Sequence, residues 1–416
     1  MKVLIVGNGG REHALSWKLS QSPRVKKIFI TPGNAGTALL GENIGLVTVE
    51  EIMNWLKNNP VDLILIGPDN YLADGLSDKI QALGIPVFGP TKAATEVEWS
   101  KSFAKKLMQE ESIPTATSQT FTDYKKAREY ISKQNFPLVI KADGLALGKG
   151  VVIAENIRKA KSALSDIMND KVFGNAGKKV VIEEFLHGKE ISIHAFCDGK
   201  NISIFPPSKD HKRIFDGDTG PNTGGMGAIA PVSWVDHVLL EEIKEKVVLP
   251  CILGLRKIGR IFAGLLYPGI MVTTDGPKVI EFNARFGDPE TQAYMRLLKT
   301  DLLEIIFACV EGKLDKVKVE WNAGYAACVV MASEGYPSPD YKKGIPITGI
   351  EEAEKIPGVK VFHAGTTVVD GILKTSGGRV LSVTARGRTL GEAIDIVYAG
   401  VKCIHFEGMQ YRTDIG

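Results

Sequence analysis

Three apolar runs, "KVLIV" (2–6), "KIFIT" (27–31) and "VDLILIG" (61–67), punctuate the first hundred residues and are set apart by helical patterning. Strands apolar at nearly every position are buried on both faces, and such strands belong to parallel sheets flanked by helices. The spacing predicts a helix over Glu12 to Ser20, another over 75–83, and a short strand in "PVFG". An N-terminal parallel α/β domain with crossover helices is therefore expected over 1–100.

Beyond it, "GPTKAATEVEWSKSFAKKLMQEESIPTA" carries one long helical pattern that ends at Pro114. Residues 115–190 read as a small α+β unit, with strands "SQTF", "PLVIKA", "GVVIA" and "KVVIEEFL" and helices at 123–133 and 156–170. From 190 to about 325 come antiparallel strands "EISIHAFC" and "NISIFPP", a long helix near 236–259, and strands "GLLYPGIMV" and "PKVIEFNA". The last ninety residues end with "GRVLSVTARG" and the helix "TLGEAIDIVYAGVKCI". The expected division is 1–100, 101–325 (with 115–190 as a lid-like subdomain) and 326–416.

A net charge of +3 on 416 residues gives no case for wholesale nucleic-acid or membrane binding. The 44 glycines exceed the roughly 29 that ~7% usage would give, as tight turns and close backbone approach to ligands require. The five cysteines are scattered and never form CxxC. They read as small buried hydrophobes in a reducing cytosol rather than as a disulfide or zinc framework. The N-terminal apolar run is too short for a signal peptide, and no window approaches a membrane span; a cytoplasmic protein is expected.

"GNGGREHAL" follows the first strand and opens a helix, but Glu12 stands where a dinucleotide fingerprint needs its third glycine. What remains is a glycine turn, Gly9-Gly10-Arg11, suited to a phosphate monoester or simply to a tight turn. "KADGLALGKGV" lacks the spacing and the Ser/Thr of a P-loop. It suits a hairpin whose tip, Gly148-Lys149-Gly150, closes over nucleotide phosphates. Lys141 ends an apolar strand, where a lysine is costly without an anionic partner. In "VVIEEFLHGKE", Glu183 and Glu184 are either a satisfied strand end or the border of a ligand. In the second reading the backbone of Glu184, Phe185 and Leu186 meets adenine and Glu190 accepts ribose hydroxyls.

"VIEFNARFGDPETQ" is the most informative segment. Glu281 and Asn283 share one strand face, and a carboxylate plus an amide oxygen suits Mg²⁺. Arg285 has the same parity and offers a planar fork for phosphoryl or carboxylate groups. Asp288 and Glu290 flank the next helix start, where capping competes with function. "SKDHKR" brings Asp210, His211, Lys212 and Arg213 together as either a solvated face or a zwitterion site. No Ser/His/Asp order, HExxH or catalytic CxxC is visible.

The order of these pieces resembles an ATP-grasp ligase. "GNGGREHAL", "PGNAGT", "DHKR", "GPNTGGMGA", "EFNARFGDPETQ", "VFHAGT" and "GGRVLSVTARG" resemble the phosphoribosylamine–glycine ligase family from end to end. Departures are Asp69 where glutamate is expected, Leu147 where alanine is usual, and Phe185 where tyrosine is common. The resemblance implies an ATP-grasp fold with a Rossmann-like N-terminal domain and a small α+β C-terminal domain. It implies ligation of glycine to 5-phosphoribosylamine by a cytoplasmic monomer, with ATP as co-substrate and Mg²⁺ or Mn²⁺ on Glu281 and Asn283. Lys105 and Lys141 would hold phosphates, Arg285 the acyl phosphate, and Asp210, Lys212 and Asp288 (with Pro289) glycine and the amine. Gly224, Gly225 and Met226 of "PNTGGMG" would form the uncharged pocket wall, offering backbone N–H groups to substrate. A nicotinamide dehydrogenase, a nucleotide-binding protein without catalysis and another carboxylate–amine ligase are the rival readings.

Overall fold

The N-terminal apolar runs form the parallel sheet that their pattern predicts. In the computed structural model, which describes residues 1–144 and 150–416, β1 (Lys2–Gly7), β2 (Lys27–Pro32), β3 (Glu42–Asn43), β4 (Leu63–Ile66) and β5 (Val87–Phe88) stand in the order β3-β2-β1-β4-β5. All pairings are parallel. Connections leave the adjacent strands β1 and β4 in opposite directions, to β2 and β5 respectively, so a crevice opens beyond their carboxyl ends. Helix Gly10–Leu19 begins there.

The helical pattern before Pro114 forms two helices, Lys92–Trp99 and Lys101–Glu110. Ser100 leaves helical geometry and its Oγ accepts from the Phe103 N–H at 3.2 Å, which starts the second helix with a cap. That helix start anchors the stem of the glycine hairpin. Asp143 accepts from the Ser102 N–H at 3.0 Å, and Lys101 Nζ donates to the Gly144 carbonyl at 3.0 Å. Strands β6 (Ser118–Phe121), β7 (Leu138–Ala142), β8 (Val151–Ala154) and β9 (Val180–Glu184) make an antiparallel sheet ordered β6-β9-β7-β8. Helices Tyr124–Ile131 and Ile157–Leu164 bury Ile131 and Leu164 against its Ile140 and Ile182. The second helix stops short of residue 170, giving way to a π-helical turn at Ser165–Asn169.

β10 (Lys189–Ser192), β11 (Ala195–Asp198) and β12 (Ile202–Ile204) precede β13 (Lys209–Asp210), β14 (Arg213–Phe215), β15 (Thr219–Asn222) and β16 (Gly227–Ala230). The helix expected over 236–259 is interrupted by a π-helical turn at Lys244–Val248. Pro250 has no N–H to continue the regular ladder. β17 (Ala263–Thr273) and β18 (Gly276–Asn283) then complete a sheet ordered β10-β17-β11-β12, with β18 on β17.

The C-terminal strands are β19 (Tyr325–Ala332), β20 (Lys360–His363), the hairpin β21 (Thr366–Val369) and β22 (Ile372–Thr375), and β23 (Arg379–Gly387). Their main sheet is ordered β13-β16-β19-β23-β20. It crosses the division expected at residue 325, because β13, which ends at Asp210 of "DHKR", and β16, which follows "PNTGGMG", belong to it, while β14 and β15 between them pair with each other. One apolar cluster runs from Ile5 and Phe88 through Phe196, Phe205 and Tyr294 to Phe362. Four cysteines are buried as expected, whereas Cys403, near the exposed end of the last helix, is not. No helix among the described residues is long and apolar enough to cross a membrane.

Candidate active site

β18 reaches the site through a bulge. Gly269 of β17 pairs with Glu281 but Ile270 pairs with Val279, leaving Ile280 as an extra residue. Simple alternation would put Val279 on the face of Glu281. Instead Val279 and Phe282 both enter the core, while Glu281 and Asn283 line a large cleft. The bulged Ile280 carbonyl accepts from Lys141 Nζ at 2.9 Å.

Arg285 lies in the same cleft, with its fork fixed on three sides. Nε is 3.2 Å from Glu98 Oε1, Nη2 donates to Asn283 Oδ1 at 3.1 Å, and Nη1 donates to the Phe286 carbonyl at 3.1 Å. Burial opposes its charge, but Glu98 and Asp69 outweigh burial and hold it protonated. Glu98 is itself pushed up to about 7, by burial against the pull of Arg285.

Across the cleft, alternation along 210–212 presents Asp210 and Lys212 and buries His211. Lys212 pairs with Glu190, so the Glu190 carboxylate expected to meet ribose is engaged by a lysine. Asp210 Oδ1 is buried without a partner among the described residues. Burial first, then the nearby Glu290, pushes its carboxyl well above the usual range.

Glu281 shows the opposite balance. Burial opposes its charge, but Lys212, Lys141, Lys101 and Arg285 together hold it below the usual carboxylate range. No protein hydrogen bond or ion pair occupies this carboxylate among the described residues, and Asn283 Oδ1 lies two residues on. An ionised, unbonded carboxylate beside an amide oxygen fits a hard divalent cation that takes its other ligands from water and phosphate.

The lysines are arranged differently from the expectation. Lys141 lines the cleft, but Lys105 sits behind it, bonded to Thr115 Oγ1 (2.8 Å) and the Ala116 carbonyl (3.0 Å). Glu183 lies between them, its Oε2 at 3.1 Å from Lys141 and 3.4 Å from Lys105. Glu183 is thus the anion that makes two buried lysines tolerable, while Glu184, Phe185 and Leu186 line the cleft. Gly150 also lines it; Gly148 and Lys149 lie outside the described residues.

The first glycine turn differs more. Glu12 folds back so that its Oε2 accepts from the Gly9 N–H at 2.7 Å. A Cβ on Gly67 would fall 1.8 Å from Glu12 Oε1, and one on Gly7 would fall 2.5 Å from its carboxyl carbon. The carboxylate therefore fills the crevice between β1 and β4 where a dinucleotide pyrophosphate would sit, and the dehydrogenase reading fails on charge and space. Arg11 lines the cleft but is tied to Glu12 and to the Phe286 carbonyl (3.0 Å). Gly9 and Gly10 pack beside Asp288 and Gln292 respectively.

"PNTGGMG" is a wall, but not one with free donors. The Gly224 N–H donates to Tyr336 Oη (2.9 Å), Gly225 N–H to Thr223 Oγ1 (2.9 Å) and Met226 N–H to the His211 carbonyl (2.8 Å). Gly224 lines the cleft. Met226 instead packs in a core with Ile214, Val330 and Ala332. Pro289 supports Gly225 from behind: a Cβ there would fall 2.4 Å from Pro289 Cδ.

Several cleft residues escaped sequence reasoning. Glu98 sits in a helix where an acid reads as solvent-facing. Lys101 is one charge among many. Glu290, expected as a cap, is buried and accepts from Ser192 Oγ at 3.2 Å, and that hydroxyl also meets Tyr267 Oη at 2.9 Å. Asp288 accepts from Gln292 Nε2 at 2.7 Å and pairs with Arg379 at 3.2 Å. No local pattern in "GGRVLSVTARG" marks Arg379.

A nucleotide-sized cleft between an antiparallel lid sheet and a strand bearing acid and amide, with an arginine just past its end, defines an ATP-grasp ligase. Family models match along the chain: phosphoribosylglycinamide synthetase N domain over 1–98, ATP-grasp (A) domain over 99–291 and C domain over 326–416. A phosphoribosylamine–glycine ligase of Caldanaerobacter subterraneus is 48% identical over 100% of this chain and 99% of its own length. The trifunctional purine biosynthetic protein adenosine-3 of Gallus gallus is 49% identical, this chain matching 42% of it. The crystal structure of phosphoribosylamine–glycine ligase from Thermotoga maritima superposes with a TM-score of 0.89 at 36% identity, covering 100% of both chains. A biotin carboxylase from Campylobacter jejuni shares the fold alone, with a TM-score of 0.75 at 14% identity over 99% of this chain and 92% of its own. The chain belongs to the phosphoribosylamine–glycine ligase family.

Proposed function

We propose that this cleft joins glycine to 5-phosphoribosylamine at the expense of ATP, giving glycinamide ribonucleotide, ADP and phosphate in purine synthesis. A carboxylate is a poor acyl donor because its leaving group would be oxide. Attack of the glycine carboxylate on the γ-phosphorus makes glycyl phosphate, and attack of the amine on its carbonyl carbon expels phosphate. Such chemistry needs positioning and charge neutralisation rather than a protein nucleophile.

Lys141, backed by Lys105, neutralises the phosphates, and the adenine lies along Glu184 to Leu186. Arg285 holds the transferring phosphoryl group and then the acyl phosphate. Glu281 and Asn283 would hold Mg²⁺ or Mn²⁺, which would supply neutralisation of the charge on the transferring phosphate. Asp210 faces the ammonium of glycine or the attacking amine. Its raised pKa equips it to take the proton that the amine gives up. Arg11 and Asp288 border the far end, where the ribose phosphate and amine would lie, and the chain is expected to act as a monomer. The placement of Glu281, Asn283 and Arg285 on one cleft face carries this reading, since binding alone would not need all three.

The test is release of ADP and phosphate from ATP and Mg²⁺ with glycine and phosphoribosylamine added singly and together. Stoichiometric release requiring both is expected; release indifferent to both would discard the reading.

Lys105 gives a pH prediction. Burial, aided by Lys141 and opposed by Glu183, lowers its pKa to about 8. Nucleotide phosphates would raise it again, so binding takes up a proton above pH ~8. Affinity for ATP should be flat below that pH and fall above it, with a limiting slope of about tenfold per unit. Lys105→Met should flatten the fall, as read by equilibrium titration. A wild-type profile already flat to pH 10 would show that the phosphates do not reach this lysine.

A further inference from the structure

The Gly224 backbone is held from both sides by the C-terminal region, by Tyr336 in the turn after β19 and by Arg379 at the start of β23. Its N–H donates to Tyr336 Oη at 2.9 Å, and its carbonyl accepts from Arg379 Nη1 at 2.7 Å. The same Nη1 donates to the Asp288 carbonyl at 2.6 Å, and Nη2 lies 3.2 Å from Asp288 Oδ2. Arg379 opens β23, a strand of the sheet that also contains β13, with Asp210, and β16, which follows the loop. One planar guanidinium therefore joins the "PNTGGMG" wall to the turn before Glu290.

From this geometry we propose that Arg379 is a positioning residue for the acyl-acceptor half of the site, acting through Asp288 and the Gly224 carbonyl. The proposal rests on the ligase reading for its catalytic consequence, though not for the clamp itself. Arg379 faces the cleft, yet its fork is already engaged by the carbonyls of Gly224, Gly225 (3.5 Å) and Asp288 and by the Asp288 carboxylate. A fork of fixed geometry holds these acceptors in one arrangement, which a lysine ammonium on a flexible stem cannot reproduce. Its partners lie on the substrate side, whereas the lysine pair and Glu184 to Leu186 lie on the nucleotide side. Loss of the clamp should therefore separate the two halves of the reaction. Asp288 would also lose a cation: burial opposes its charge, and Arg379 leads the groups that hold it ionised.

The experiment compares wild type with Arg379→Ala, Arg379→Lys and Tyr336→Phe. For Arg379→Ala the KM for glycine or phosphoribosylamine should rise at least tenfold and kcat should fall. The affinity for ATP should stay within about twofold, and millimolar methylguanidine should restore part of the turnover. Arg379→Lys should stay impaired despite its charge, and Tyr336→Phe should show a milder loss. Wild-type constants in Arg379→Ala, or equal loss of ATP binding without guanidinium rescue, would overturn the proposal. Hydrogen exchange of the peptides covering 221–226 and 286–290, measured without substrate, should accelerate in Arg379→Ala while the lid sheet is unchanged. Unaltered exchange would overturn the clamp whatever the enzyme's substrates are, which separates its failure from failure of the ligase reading.

Discussion

Arg285→Ala is expected to lose about 10³-fold in kcat, the scale seen when a preorganised charge stabiliser is removed, with ATP affinity changed by no more than a few-fold. The guanidinium is bonded to Glu98, Asn283 and the Phe286 carbonyl, so its orientation is set before substrate arrives. Loss of this group leaves Glu98 buried beside Asp69. Glu98 already titrates near 7 with its partner present. Without the arginine it takes a proton instead of remaining a buried anion, so the fold survives and the loss is one of chemistry. Arg285→Lys keeps the charge but not the fork, and should recover at most about tenfold. Steady-state kinetics with nucleotide titration checks both variants. Unchanged turnover in Arg285→Ala would remove this residue from the reaction.

Gly225→Val is expected to lower activity by more than a hundredfold, the penalty that misplacing substrate-holding groups by about 1 Å can bring. Gly225 has a φ of +111°, and a Cβ there would stand 2.4 Å from Pro289 Cδ and 2.7 Å from Asp210 Oδ1. Valine would be strained in the backbone and would push apart the two walls that carry Asp210 and the Asp288 turn. Gly224 has no such backbone demand; a Cβ there meets the Arg379 guanidinium at 2.9 Å, so its substitution disturbs the clamp instead. Circular dichroism and thermal melting should show a retained fold in Gly225→Val. An active Gly225→Val protein would reduce "PNTGGMG" to a connecting loop.

What the sequence made legible follows its periodicities and what it hid follows their exceptions. Apolar runs located the parallel sheet, and shared parity located Glu281 and Asn283. Arg285 lies in the bend past the strand end, where Glu98, Asn283 and the Phe286 carbonyl rather than parity aim it into the cleft. The bulge at Ile280, which sends Val279 and Phe282 to the same core, leaves no mark in a strand of ordinary residues. The missing third glycine argued against dinucleotide binding. That Glu12 itself fills the vacated space depends on Gly67, more than fifty residues away. Helix patterns ran through Ser100 and Pro250 because period alone does not show where a cap or a missing N–H interrupts the ladder. The glycines of "PNTGGMG" were recognisable as a close approach, but the partner approached is Tyr336, Arg379 and Pro289. Long-range pairing of polar backbone with distant side chains has no local signature, which is why Arg379 and Glu98 went unnoticed.

The central claim is that the glycine carboxylate is activated by phosphoryl transfer within this cleft. The most direct measurement follows oxygen from glycine labelled with ¹⁸O in its carboxylate, with ATP, Mg²⁺ and phosphoribosylamine. The account predicts one labelled oxygen in each phosphate released and the other in the amide product. Phosphate free of label, formed while the amide accumulates, would contradict it.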